Sequence, residues 1–265
     1  MYRAIQSRSN EEFKICLKCK ERKGRDKHGL FLLEGDKSIR EILDLGIYPE
    51  LLYVRESSAW LDIVARDFPI LENKIRILSQ SLFTELSDTV MAQDLIFVGQ
   101  LIRSSIDALP GGEDVVVMDR IQDPGNLGTI LRTAIAAGVT SIVVTKGTVD
   151  LYNPKVLRAT AGSLFRCRIY YVDDYDSLLD RLNGLGLEIV CADIAGTVNL
   201  FDMVKNGVQA LVVGNEHQGP ASELVEAAQQ LVRIPMPGEI ESLNVSVAAA
   251  LLIYESYRKS GVGGL

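Results

Sequence analysis

Two kinds of hydrophobic patterning divide this chain. In its first hundred residues short apolar runs alternate with amphipathic stretches: Leu30–Glu34, Leu51–Val54, Ile75–Leu78 and Leu95–Gln100 read as strands, Lys37–Leu45 and Ala59–Arg66 as helices. Beyond Asp114 the strands become apolar throughout, at Val115–Met118, Ser141–Thr145, Arg168–Val172, Glu188–Cys191, Ala210–Val213 and Leu231–Ile234, with helical patterns between them. Continuous Val/Ile/Leu runs of that kind belong to strands covered on both faces, so the second half predicts an α/β domain around a mainly parallel sheet.

Between the two patterns, Ser104–Asp114 carries turn residues around Pro110-Gly111-Gly112 and little periodicity. The organisation that follows is a small α/β domain over residues 1–105, a linker over 106–114 and a larger domain over 115–265. With 265 residues and 47% apolar side chains the chain has material for two cores.

No apolar run approaches the length of a membrane span, and the N-terminal MYRAIQSRSN is polar, so neither a secretory signal nor a membrane anchor is expected. Cys16, Cys19, Cys167 and Cys191 form no regular disulfide framework, which suits a reducing, cytoplasmic compartment. Cys16 and Cys19 have the spacing of half a zinc site, yet no second pair follows and His28 and His217 stand alone, so they read as ordinary helix residues and no metal is expected.

The net charge of −7 argues against indiscriminate nucleic-acid binding. Its distribution changes that picture, because Lys14, Lys18, Lys20, Arg22, Lys23, Arg25 and Lys27 are opposed locally only by Glu21 and Asp26. This stretch is either a solvated helix end and loop or an electrostatic footprint for RNA, with Lys18, Lys20, Arg22, Lys23 and Arg25 its candidate contacts and Arg158 a further one.

Three loops carry candidate chemistry, each leaving the C-terminal end of an apolar strand, where parallel sheets bind ligands. The first, Asp123-Pro124-Gly125-Asn126-Leu127-Gly128, opens a helix that Asn126 is placed to cap; Leu127, Leu131 and Ala134 face the sheet and leave Arg132 free for a phosphate or carboxylate. Its glycines do not match the dinucleotide fingerprint. The second, Gly214-Asn215-Glu216-His217-Gln218-Gly219-Pro220, puts a carboxylate between two glycines that permit close backbone approach. In the third, Ile234-Pro235-Met236 leads to Ser242-Leu243-Asn244 and a helix, capped by Ser242, that is apolar almost all round through Ile253. A helix without a polar face needs cover on every side, which predicts a homodimer through the C-terminal domain. Taken singly, each loop is also an ordinary capped helix or turn with a solvent-facing charge.

Together, over roughly Val115 to Arg258, the three loops resemble the three motifs of the SpoU family of the SPOUT superfamily, the trefoil-knotted RNA ribose methyltransferases. The agreement lies in Asp123-Pro-x-Asn126-x-Gly128 through Arg132, Gly214-Asn-Glu216, and Ile234-Pro-Met236 through Ser242-Leu-Asn244. Residues 29–45, GLFLLEGDKSIREILDL, are similar to the small substrate-binding domain that many members carry ahead of the catalytic one.

The resemblance implies a deep trefoil knot, a rarity among folds. It also implies S-adenosylmethionine as cofactor, held at Gly214, Asn215, Ile234, Met236, Leu243 and Thr145, and Asn126, Arg132, Glu216, Ser242 and Asn244 as the catalytic set. The implied reaction is methylation of a ribose 2′-hydroxyl, with ribosomal RNA favoured over tRNA by Tyr152–Ser163 and either free RNA or an assembling ribosomal particle as substrate. A base methyltransferase of another SPOUT branch and a noncatalytic RNA-binding protein are the alternatives. Two positions depart from the family pattern: His217 stands where glycine is frequent, and Pro220 where a larger apolar residue is common.

Overall fold

The computed structural model describes residues 2–89, 93–238 and 242–261. Of the third motif, Glu239, Ile240 and Glu241 lie outside the described residues, as does the chain end beyond Gly261. The chain forms two compact units: Met1–Ile102 with Asp150–Gly162, and Arg103–Val149 with Ser163–Leu265.

The first unit runs β1 (Arg3–Ile5), α1 (Glu11–Lys18), α2 (Arg22–His28), β2 (Leu30–Glu34), α3 (Asp36–Asp44), β3 (Leu51–Arg55), α4 (Trp60–Asp67), β4 (Ile75–Leu78), α5 (Gln80–Leu86) and β5 (Leu95–Gln100). Its sheet has the order β1-β4-β3-β5-β2, with β5 antiparallel to both neighbours. Phe13, Cys16, Cys19, Tyr53, Leu78, Phe83 and Ile96 fill the core beneath it. Cys16 and Cys19 are thus core residues. Burial pushes the Cys16 thiol up to about 11, and its sulfur accepts the Tyr53 hydroxyl at 3.5 Å.

The second unit contains β6 (Ser104–Ser105), β7 (Val115–Met118), α6 (Pro124–Ala136) and β8 (Ser141–Thr145). After β8 the chain passes through the first unit as α7 (Pro154–Thr160), then returns as β9 (Arg168–Val172), α8 (Tyr175–Gly184), β10 (Glu188–Ala192), β11 (Val198–Asn199), β12 (Gln209–Val213), α9 (Ser222–Ala227), β13 (Gln230–Arg233) and α10 (Val245–Lys259). The sheet order is β11-β13-β10-β12-β7-β8-β9-β6, and every adjacent pair is parallel. Every residue of β7, β8 and β12 is buried, which is why these strands read as unbroken apolar runs.

Two expectations change. The segment 106–114 does not link: Ile106 and Leu109 are buried in the second core and β6 pairs with β9, so the unit boundary falls at Ile102. Polar turn residues had masked two core anchors. The segment around α7 lies in the first unit, where the buried Arg25 meets Asp150 at 2.5 Å and Tyr152 packs at a tilt against Phe31 with ring centroids 4.9 Å apart.

Candidate active site

At the C-terminal ends of β10, β12 and β13 the second unit encloses a cavity of about 310 Å³, within the size range of small-molecule sites. Val213, Ile234, Met236, Leu243 and Val245 give it an apolar wall, and Asp193, Asn215, Glu216, His217 and Ser242 supply polar groups. Of the six residues expected to hold the cofactor, Gly214, Asn215, Ile234, Met236 and Leu243 line it. Thr145 does not. Its hydroxyl is spent on the Asp119 carboxylate at 2.8 Å and on the Arg120 N–H at 3.1 Å.

The loop after β12 is shaped by its glycines and by Asn215. A Cβ on Gly214 would lie 2.0 Å from the Pro220 nitrogen, a distance no side chain tolerates, and Gly219 has φ +69°. The Asn215 carboxamide oxygen accepts from the His217 and Gln218 N–H groups, while its amide donates to the Arg120 carbonyl at 3.0 Å. His217 is exposed at the loop tip, so the departure from the family's glycine is accommodated in solvent.

Three of the expected catalytic residues form one hydrogen-bonded chain. Glu216 accepts from Asn126 Nδ2 at 3.1 Å, from the Asp123 N–H at 3.1 Å and from the Gln122 N–H at 3.3 Å. Asn126 Oδ1 in turn accepts from Asn244 Nδ2 at 2.9 Å, and Asn244 Oδ1 accepts from the backbone N–H and hydroxyl of Ser246. Burial pushes the Glu216 carboxyl up, but the hydrogen bonds from Asn126 and the backbone outweigh it and hold the group below the ordinary glutamate value. It is a carboxylate at neutral pH.

Capping differs from expectation at both helices. Asp123, not Asn126, caps α6, accepting the Asn126 N–H at 2.8 Å; Asn244, not Ser242, caps α10. In each case the residue at the cap sits one turn or two residues from the position read in the sequence, which leaves the Asn126 carboxamide free to bridge Glu216 and Asn244. Ser242 remains exposed at the cavity edge. Arg132 is exposed on α6 and forms no ion pair or hydrogen bond with any described residue, so its guanidinium is available to an external anion.

A buried carboxylate absent from the sequence reading organises the site from below. Asp119, at the end of β7, is 0% exposed. It accepts from the Thr145 and Tyr175 hydroxyls, the Ala221 N–H and Arg120 Nε, and Arg120 continues to the Gly219 carbonyl at 3.2 Å. Burial and Asp119 together push the Tyr175 phenol up to about 12, keeping it a donor. Arg120 has φ +54°. A single Asp after an apolar strand gave no signal of this role.

The basic stretch divides. Lys18, Arg22 and Lys23 are exposed, and so is Arg158 on α7. Arg25 is buried, its guanidinium bound to Asp150 and to the Cys19 and Lys20 carbonyls, which removes it from the RNA candidates. Lys20 donates to the Glu85 and Ser87 carbonyls and pairs with Asp88 at 3.3 Å, so it too is engaged within the unit. Sequence alone could not tell a cation aimed at solvent from one folded back.

Residues 113–254 match the SpoU rRNA methylase family and residues 10–96 the MRM3-like substrate-binding domain. The chain is 33% identical to the 23S rRNA (guanosine(2553)-2′-O)-methyltransferase RlmP of Bacillus subtilis, covering 94% of this chain and 97% of that protein. It superposes on the AdoMet-bound rRNA methyltransferase of Sinorhizobium meliloti with a TM-score of 0.86 at 28% identity, covering 97% and 98% of the two chains. For the SpoU methyltransferase AviRb of Streptomyces viridochromogenes in complex with AdoMet the TM-score is 0.84 at 28% identity, over 96% and 100%. The cavity, the motif residues gathered beside it and these likenesses agree: the chain belongs to the SpoU rRNA methylase family, and its activity is that of an S-adenosylmethionine-dependent RNA methyltransferase.

Proposed function

We propose that the protein methylates a ribose 2′-hydroxyl of ribosomal RNA of the 23S type, with S-adenosylmethionine held in the cavity between β10, β12 and β13. The observation that carries this reading is the chain Glu216, Asn126, Asn244 beside that cavity. The cavity's apolar wall and polar edge fit an adenosyl group with a charged tail. When bound, the sulfonium supplies an electrophilic methyl group to an in-line nucleophile.

The chain's own residues then position and charge-balance. Both Glu216 oxygens are already occupied by donors and the group is a weakened base, which favours an orienting role: it fixes the Asn126 carboxamide, whose oxygen fixes Asn244. Arg132 clamps the RNA phosphate beside the target ribose with its planar guanidinium and stabilises negative charge developing on the attacking oxygen. Ser242 offers its hydroxyl at the cavity edge to ribose or cofactor.

RNA is gripped in part by the exposed Lys18, Arg22, Lys23 and Arg158. The deep trefoil knot of the family belongs to this reading, as do residence in the cytoplasm and a homodimer. On α10, Val247, Leu251, Tyr254 and Tyr257 are all at least 38% exposed at spacings of three and four residues, one apolar face for a second copy to cover.

The test is incubation with tritiated S-adenosylmethionine and rRNA lacking the modification, followed by digestion to nucleosides. Label in a 2′-O-methyl nucleoside of rRNA is the expected result. Label in a base transfers the protein to another branch of methyltransferases, label in tRNA alone refutes the rRNA target, and none with intact cofactor binding points to a noncatalytic RNA-binding protein.

A further inference from the structure

We propose that Asp193 is a further cofactor-binding residue, whose free carboxylate oxygen takes the ribose hydroxyls of the cofactor's adenosine; this rests on the reading that S-adenosylmethionine occupies the cavity. Asp193 follows β10 directly and lines the cavity with Ala192 and Ile194. Its backbone is fixed on both sides: its N–H donates to the Val232 carbonyl at 3.0 Å and its carbonyl accepts the Gly196 N–H at 3.1 Å. A Cβ on Gly196 would lie 2.5 Å from the Arg233 nitrogen, so the turn 193–196 is pressed tightly onto β13.

The carboxylate is preorganised in the same way. Oδ1 accepts the Ala195 N–H at 2.7 Å, while Oδ2 has no hydrogen-bond partner among the described residues. Oδ2 lies beside Gly219, where an added Cβ would stand 3.1 Å away, so a larger residue there would crowd it.

The other carboxylate and carboxamide oxygens described around the cavity are engaged: Glu216 with Asn126 and two backbone N–H groups, Asn215 Oδ1 with those of His217 and Gln218, while the Ser242 hydroxyl sits exposed at the edge. A ligand with hydroxyl donors therefore meets one rigid, acceptor-only group with a free oxygen, and that group is Asp193. The position also suits the chemistry, since an acidic side chain at the C-terminal end of a parallel strand is a recurrent way to hold a ribose hydroxyl in nucleotide-binding sheets. A half-buried carboxylate accepting from an O–H makes a charge-assisted bond, stronger than a neutral one.

The test is calorimetric affinity for S-adenosylmethionine, S-adenosylhomocysteine and 5′-methylthioadenosine, the last carrying the ribose but no ammonium or carboxylate. Asp193→Asn keeps the oxygen that closes the turn and replaces the free acceptor with an N–H donor. It is expected to weaken all three alike, by about ten- to a hundredfold, with near-wild-type thermal unfolding and with kcat retained at saturating cofactor while KM rises. Loss for the first two with 5′-methylthioadenosine unaffected would place the ammonium at Asp193 and overturn the assignment, as would three unchanged affinities. Met236→Trp, which fills the cavity, separates the two levels. If it abolishes binding while Asp193→Asn changes nothing, only Asp193 is wrongly assigned; if it binds like wild type, the cavity reading falls and Asp193 with it.

Discussion

Asn244 Nδ2 donates to Asn126 Oδ1 at 2.9 Å, joining the first turn of α6 to the cap of α10 across 118 residues of sequence. Because Asn126 also donates to Glu216 and Asn244 also caps α10, the two carboxamides have fixed orientations and act as a unit. Asn126→Ala and Asn244→Ala are each expected to lower kcat/KM by about ten- to a hundredfold, and the double variant by clearly less than the product, a coupling of about 1–2 kcal/mol. Strict additivity in a double-mutant cycle would mean that the bond has no part in catalysis.

The pH dependence follows from Glu216. Its carboxyl is held below the ordinary value in the folded protein, so the charged form is favoured by the fold. Its contribution is complete above the unfolded value and lost as pH falls through the lower, folded one. Methyl transfer is therefore expected to be independent of this group from neutral pH down through the ordinary glutamate range and to decline only as pH falls through the lower, folded value. Glu216→Gln should lose activity at all pH values and lose that acid limb; a pH–rate profile of both proteins decides it.

Arg132 has no partner to lose within the described structure. Arg132→Ala is expected to leave thermal stability and cofactor affinity within error of wild type and to reduce kcat by about a hundred- to a thousandfold, as for removal of other charge-stabilising donors. Full turnover in this variant would exclude the guanidinium from the reaction.

Asp119 should behave in the opposite way. Asp119→Ala strands the hydroxyls of Thr145 and Tyr175, the Ala221 N–H and the Arg120 guanidinium around a void. A loss of about 3–5 kcal/mol in unfolding free energy is expected, together with a raised KM for S-adenosylmethionine, because Arg120 no longer supports the Gly219 carbonyl. Denaturant melts and cofactor titration measure the two effects separately.

Among the basic residues, replacing Lys18, Arg22 and Lys23 with glutamine should weaken RNA binding and flatten its salt dependence by a slope of roughly two to three, with cofactor affinity unchanged. Arg25→Gln should instead destabilise the protein, since its partner Asp150 is buried with it. An unaltered salt slope in the triple variant would move the RNA path elsewhere.

Much of this was legible in the sequence because it depends on local pattern. β2, β4, β5, β7, β8 and β9 begin and end at the residues the pattern predicts, and β7 and β8, buried at every position, leave no exposed residue to blur their limits. The cavity's glycines and the Asn126, Glu216 and Asn244 set were visible as motifs spaced along the chain. What escaped was long-range partnering. Asp119, Arg25 and Lys20 look like surface charges until the fold brings Thr145, Asp150 and the Ser87 carbonyl to them. Ile106 and Leu109 look like linker residues until β6 is seen to pair with β9.

The bond between Arg25 and Asp150 spans 125 residues, and this has a consequence for synthesis on the ribosome. The first unit cannot complete its core when residue 102 emerges, because its own α7 is encoded after β8. At translation speeds of about 5–20 residues per second, Arg25 waits on the order of ten seconds for its carboxylate. During that interval the nascent first unit carries a guanidinium without its carboxylate and a Phe31 without Tyr152 against it. A truncated gene ending near residue 102 would hold it in that state permanently, and the smallest piece able to close this unit reaches Gly162.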